Sequence, residues 1–264
     1  MKKLVAVAVL FAAAALKGPL YTVGAQEAGR DLTGVDAANP AGRGRGPTGK
    51  TPKESAPIDL TGYWVSIVSE DWRFRMLAPA KGDHPDFLLT PEGTKVADAW
   101  DPAKDQAEKD HCKAYGAANI MRVPGRFHIT WADDRTLKIE TDAGMQTRLL
   151  KFPSTGSGQA PGTAPVGPPS RQGNSVAQWD RRALRVETSN LLPGYLQYNG
   201  VPYGANFKMV EYFDVISEAG GEIWLIDDEV MTDPQYLVRS HKRSTHLRKQ
   251  ADNKGWDPQP CLVR

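Results

Sequence analysis

RFHITWADDRTLKIETDAGMQTRLLKF, residues 126–152, is the stretch on which the fold turns. Phe127, Ile129 and Trp131 alternate with Arg126, His128 and Thr130, the period of two that a strand with one buried face requires. Asp133-Asp134 marks a turn, and Leu137 to Thr141 returns as a second strand. Asp142-Ala143-Gly144 turns again into a third strand, Met145 to Phe152. Connections this short join antiparallel neighbours.

The same pattern extends outward in both directions. Downstream, strands are expected at Ser175–Asp180, Leu184–Thr188, Tyr195–Tyr198, Phe207–Ile216, Glu222–Ile226 and Gln235–Arg239, with a mostly polar tail beyond His246. LRVET at 184–188 echoes LKIET at 137–141, which reads as two similar strands rather than a repeat. Upstream, Tyr63, Val65 and Ile67 alternate in a first strand. Trp72, Phe74 and Met76 suggest a second, Trp72–Leu77, with Arg73 and Arg75 on its other face. One helical region interrupts the strands, at 90–113. Thr90-Pro91 and Asp101-Pro102 each read as an N-cap followed by proline at the first helical position. Many short strands, no βαβ rhythm and one helical insertion predict an all-β fold. The expected form is an antiparallel β-barrel, lipocalin-like or a strongly curved sheet, with a β-sandwich as the alternative.

The expected domain spans 58–264 and contains a long Gly/Pro/Ser-rich loop at 153–174. Residues 26–57 are rich in Gly, Ala, Pro and charge and read as a flexible lead-in. Residues 1–25 carry Lys2 and Lys3, then an apolar run from Leu4 to Leu16, then Val23-Gly24-Ala25. This is the layout of a secretory signal peptide cut before Gln26, which implies a periplasmic or secreted protein. The apolar run is too short to span a bilayer comfortably, so no integral membrane association is expected.

The chain has 33 basic and 31 acidic residues. Lys2, Lys3 and Lys17 fall in the leader, which holds no acid, so the remainder is close to neutral. That removes the electrostatic case for nucleic acid. Cys112 and Cys261 are the only cysteines, and in an oxidising compartment one disulfide between them is the simple expectation. Nucleotide-binding and serine-hydrolase motifs are missing, as is HExxH. The five histidines are His84, His111, His128, His241 and His246, and their spacing offers no convincing metal set. Neither a metal nor a cofactor is expected.

Residues 126–152 also carry a resemblance, together with Gly194-Tyr195-Leu196, Asn199-Gly200-Val201-Pro202-Tyr203, Glu211-Tyr212-Phe213-Asp214, Thr232-Asp233-Pro234-Gln235-Tyr236-Leu237 and Trp256-Asp257-Pro258-Gln259-Pro260-Cys261. Over roughly 58–264 the chain resembles a group of exported bacterial proteins to which no activity is assigned. The resemblance implies export and carries no catalytic residue.

Barrel mouths are recurrent ligand sites, so a small organic molecule is the expected partner; the oligomeric state is open. One reading is an extracytoplasmic enzyme using cofactor-independent acid–base chemistry, of isomerase, cyclase, lyase or hydrolase type. The alternative is a non-catalytic carrier of an apolar or aromatic ligand, and a structural envelope protein is a third possibility. The candidate catalytic set is His128, Arg148, Tyr212 and Asp214. Arg148 would hold developing negative charge, His128 or Asp214 would take a proton, and Tyr212 would return one. Trp72 and Arg73 are candidate ligand contacts as an aromatic wall beside a carboxylate-binding cation. Asp142 and Tyr195 complete the set, although an Asp-Ala-Gly turn favours aspartate for local capping alone.

Overall fold

A computed structural model describes residues 49–153 and 167–263. The leader, residues 26–48 of the lead-in and the middle of the 153–174 loop lie outside the described residues. The strands are β1 (Gly62–Ser66), β2 (Arg126–Asp133), β3 (Thr136–Thr141), β4 (Thr147–Lys151), β5 (Asn174–Asp180), β6 (Ala183–Ser189), β7 (Gly194–Gln197), β8 (Val201–Tyr203), β9 (Lys208–Ser217), β10 (Ile223–Thr232) and β11 (His241–Gln250). Nine of them close a barrel in the order β1-β11-β10-β9-β6-β5-β4-β3-β2, while β7 and β8 pair separately. Every neighbouring pair in the barrel is antiparallel except β4 and β5. Those two run parallel and meet at only two register positions, Leu150 opposite Ser175 and Lys151 opposite Val176. The all-β barrel expectation therefore holds, and the sandwich alternative does not.

Closure gives each strand an inside and an outside. Trp64, Phe127, Ile129, Leu137, Ile139, Leu150, Ala177, Leu184, Val186, Phe213, Leu225 and Leu247 are all buried and fill one end of the interior. The Trp64 indole N–H donates to the Leu60 carbonyl at 2.9 Å, which satisfies the one polar atom of that side chain. LKIET and LRVET become β3 and β6, each pointing Leu, a β-branched residue and Thr inward. A second buried apolar cluster covers the opposite end. It takes Ala117, Ala118, Leu191, Leu196, Val201, Tyr203, Phe207, Met209, Met231 and Leu237, largely from the β7–β8 hairpin and its flanking loops.

The helical insertion is α1 (Trp72–Arg75), α2 (Pro91–Ala99) and α3 (Pro102–Ala107). Thr90 Oγ1 accepts the Gly93 N–H at 3.0 Å, and Asp101 Oδ1 accepts the Ala103 N–H at 3.0 Å. These are the two caps that the Thr-Pro and Asp-Pro pairs announce. α1 corrects the sequence reading, which placed a strand over Trp72–Leu77. The stretch is a single helical turn anchored by Arg75, whose guanidinium donates to the Ile67 carbonyl at 2.6 Å and the Arg122 carbonyl at 3.1 Å. Gln235–Arg239 is likewise not a strand; the strand there begins at His241 and ends at Gln250, inside the stretch read as tail.

Cys112 and Cys261 are joined in a disulfide that spans 149 residues. It ties the C-terminal tail against the Asp142–Gly144 turn, where the Gln259 N–H donates to the Asp142 carbonyl at 2.9 Å. Gly144 has φ 78°, and a β-carbon there would sit 2.3 Å from the Tyr115 ring. Only glycine suits both the backbone and the packing at this turn.

Candidate functional site

Between the two apolar clusters the barrel carries a buried polar layer. It arises because the inward positions of six strands change character at one height. Arg148 on β4, Ser175 on β5, Thr188 on β6, Glu211 on β9, Asp227 and Glu229 on β10 and Thr245 on β11 are all essentially inaccessible to solvent. Arg243 on β11 is nearly so. Register brings them together: Glu211 lies opposite Glu229, Glu229 opposite Arg243, Asp227 opposite Thr245, and Ser175 opposite Thr188.

Two acids facing one another across a ladder repel, and here each has its own arginine. Arg148 Nη1 donates to Glu211 Oε1 at 2.7 Å, and Nη2 closes the second arm of the fork onto Oε2. Nη2 also reaches Thr188 Oγ1 at 2.7 Å, and Nε reaches Ser175 Oγ at 3.2 Å. Arg243 pairs with Glu229 through Nε and through Nη2, the latter at 3.2 Å, and donates to the carbonyls of Ala118 and Leu196. Bidentate guanidinium–carboxylate pairs of this kind hold both planes in a fixed relation.

Asp227 has no such arrangement. Neither carboxylate oxygen has a hydrogen-bond partner among the described residues, and neither has the hydroxyl of Thr245 opposite it. Burial pushes the Asp227 carboxyl well above its ordinary value, and the nearby charges of Glu211 and Glu229 push it further, against the pull of Arg148 and Arg243. Burial opposes the Arg148 charge, but Glu211, Asp227 and Glu229 outweigh it and hold that guanidinium above its usual pKa. One oxygen from each of Glu211, Asp227 and Glu229 lies within 4.8 Å of the others, close enough for a single cationic centre to touch all three. The arrangement can bind and orient a small positively charged or hydrogen-bond-donating group. The barrel is thus capable of holding a small molecule in its interior.

A pH prediction follows from Asp227. Its carboxyl has a higher pKa in the folded chain than its ordinary value of 3.8. Folding therefore favours the protonated form, and stability is full below that value and declines as pH rises through the folded-state pKa. Each pH unit in that window removes up to about 1.4 kcal/mol. Asp227→Asn is expected to flatten the decline, so that the variant overtakes wild type in urea unfolding as pH rises. A stability difference between the two proteins that is independent of pH would contradict this.

The sequence-based candidates fare unevenly. Arg148 points inward as required. His128, Tyr212 and Asp214 do not join it, because the inward positions are Phe127 and Ile129 on β2 and Glu211 and Phe213 on β9. His128 instead stacks on Tyr63, with ring centroids 4.1 Å apart, and its Nδ1 lies 3.5 Å from Glu140. The Tyr212 hydroxyl accepts from Arg185 Nε at 3.3 Å, and Asp214 accepts the Val215 N–H at 2.8 Å. Of the four, only Arg148 belongs to the buried polar layer.

Trp72 is 58% exposed on α1, and Arg73 pairs with Asp83 at 2.8 Å on the surface; the strand that would have placed them beside a pocket is absent. Asp142 is buried in its turn, accepting the N–H groups of Arg126 at 2.7 Å and Ala143 at 2.6 Å, which is local capping. The Tyr195 hydroxyl donates to Asp105 Oδ1 at 3.0 Å, and Asp105 also receives Lys113 Nζ at 2.6 Å. That cluster borders a shallow cleft formed with Trp100, Asp110 and His111, outside the barrel.

Asp227, Glu229, Arg243 and Thr245 were missed. Histidine and cysteine spacing carries no information about a cluster built from carboxylates. The available signal was Asp227-Asp228-Glu229 flanked by Ile223-Trp-Leu-Ile226 and Val230-Met231. Acids set between two apolar runs of one strand mark inward charge. Comparison with protein-family models, with curated proteins and with solved structures returned no match.

Proposed function

We propose that this protein is an extracytoplasmic carrier that binds a small organic molecule in its barrel without transforming it. The observation that carries the reading is the division of labour in the polar layer. Arg148, Glu211, Glu229 and Arg243 are occupied by one another, whereas Asp227 and Thr245 retain unsatisfied hydrogen-bonding atoms between two apolar clusters. Paired charges hold a shape; the unpaired acceptors recognise a ligand. Acid–base chemistry in the interior would need a second group free to exchange protons beside Asp227. The residues proposed for that role, His128, Tyr212 and Asp214, lie on the outer face. Arg148 donates from all three of its nitrogens, so it has little capacity left to stabilise developing charge on a substrate.

The compartment rests on the leader-like residues 1–25 and fits the Cys112–Cys261 disulfide. No helix among the described residues is long and apolar enough to cross a membrane.

Native mass spectrometry of protein purified gently from its host tests the reading. A bound small molecule should be released on denaturation and should remain chemically unchanged after prolonged incubation with fresh protein. Steady conversion of that molecule to a product would replace the carrier with the enzyme.

A further inference from the structure

Asp227 sits in a layer whose charge can be counted. With every group ionised, Glu211, Asp227 and Glu229 carry three negative charges, and Arg148 and Arg243 two positive. Both arginines are committed to glutamates, so the unmatched charge belongs to Asp227. Among the described residues the same carboxylate has two oxygens without partners, and the Thr245 hydroxyl beside it is also unpartnered and fully buried. Thr245 lies outside the acidic trio and is cross-strand partner to Asp227. Directly opposed residues in a ladder place their β-carbons about 4.5–5.5 Å apart on one face, so a group bound to the carboxylate is within reach of the hydroxyl.

We infer that Asp227 and Thr245 form a binding site for one compact monovalent cation, of which the protonated amino group of a small organic ligand is the form that rests on the carrier reading. One oxygen each of Asp227, Glu211 and Glu229, no more than 4.8 Å apart, share a point within about 2.8 Å of each, so an ammonium nitrogen held on Asp227 at its usual distance of about 2.7–2.9 Å from carboxylate oxygen fits among the three acids. Charge selects valence. A monocation brings the layer to neutrality, whereas a divalent ion leaves a net positive charge buried beside two guanidinium groups, which burial strongly disfavours. Calcium also seeks six to eight oxygens, and the oxygens of Glu211 and Glu229 are already engaged by arginine. Ammonium supplies N–H donors for the two Asp227 oxygens and for Thr245. The charged groups facing Asp227 are Glu211 from β9, Glu229 from its own strand, Arg148 from β4 and Arg243 from β11. The cation enters in place of a proton on Asp227.

The test is isothermal titration and thermal unfolding of the full chain at constant ionic strength. The probes are ammonium chloride, n-butylamine hydrochloride, sodium chloride, tetramethylammonium chloride and calcium chloride. Wild type should bind ammonium or butylamine with a rise in unfolding temperature, while tetramethylammonium, which has no N–H donor, should leave it unchanged. Asp227→Asn should weaken binding by about tenfold or more, and Thr245→Val, which keeps the shape of the side chain, should weaken it by a smaller factor. Binding of ammonium and butylamine together supports both the cation site and the carrier. Binding of ammonium or sodium without any organic amine keeps the cation site and removes the amine-bearing ligand. No monocation effect in wild type, or equal effects in wild type and Asp227→Asn, overturns the site. Calcium binding tighter than any monocation, lost in Asp227→Asn, overturns it in favour of a divalent centre. A neutral ligand found in the native protein leaves the carrier standing and tells against the amine.

Discussion

Arg148→Met is expected to lower the unfolding free energy by about 3–5 kcal/mol. The substitution keeps much of the volume but strands Glu211 in a fully buried position, opposite Glu229 and near Asp227. It also takes a donor from Ser175 and Thr188. The large loss reflects the charge left behind rather than the worth of the pair, because forming the pair required removing both ions from water. Arg148→Met combined with Glu211→Leu should therefore recover most of the stability. Urea unfolding of both variants at neutral pH checks this, with β-sheet dichroism as the control for folding. If the double variant were as unstable as the single one, the buried charge would not be the cause.

Breaking the Cys112–Cys261 bridge should rank second in effect, at roughly 2–5 kcal/mol. The linkage closes a loop of 149 residues, long enough to restrict the unfolded chain strongly. In the folded chain it holds the tail that donates from the Gln259 N–H to Asp142 and from the Leu262 N–H to the Tyr115 hydroxyl at 3.2 Å. Cys112→Ser with Cys261→Ser, or reduction of the native protein, should lower the urea midpoint while leaving most of the barrel spectrum intact. A midpoint unchanged by reduction would show that the tail docks equally well without the covalent link.

The barrel was legible wherever its inward face is apolar. Phe127, Ile129 and Trp131, then Leu137 and Ile139, announce β2 and β3 because alternation and burial coincide. The site was much less legible, and for a related reason. β10 reads as a strand only as far as Ile226, because Asp227, Asp228 and Glu229 interrupt the apolar pattern. β11 has no such pattern at all: Arg243, Thr245 and Leu247 are its inward residues, and only the last is apolar. The polar layer thus concealed β11 and the second half of β10, the two strands that carry its unpaired groups. Arg148 shares the parity of Leu150, and both are buried on β4, but a mixed polar and apolar face does not by itself tell inside from outside. His128, Tyr212 and Asp214 were chosen by chemical type, which says nothing about face, and a one-residue change of register reverses every side chain. Trp72–Leu77 failed because a single helical turn is too short for periodicity to separate helix from strand.

Nine is an odd number, and a closed ring of strands cannot alternate direction through an odd count. Going once around and returning to the starting strand requires an even number of reversals, so one neighbouring pair has to agree in direction. That pair is β4 and β5. The linker between them is constrained by the same arithmetic: parallel neighbours need a crossover of about a dozen or more residues, because the chain must travel back along the barrel before starting the next strand. The sequence leaves 22 residues between the end of β4 and the start of β5, a length sufficient for that. Trimming them to a hairpin turn would reverse β5, and nine strands could then no longer form this ring.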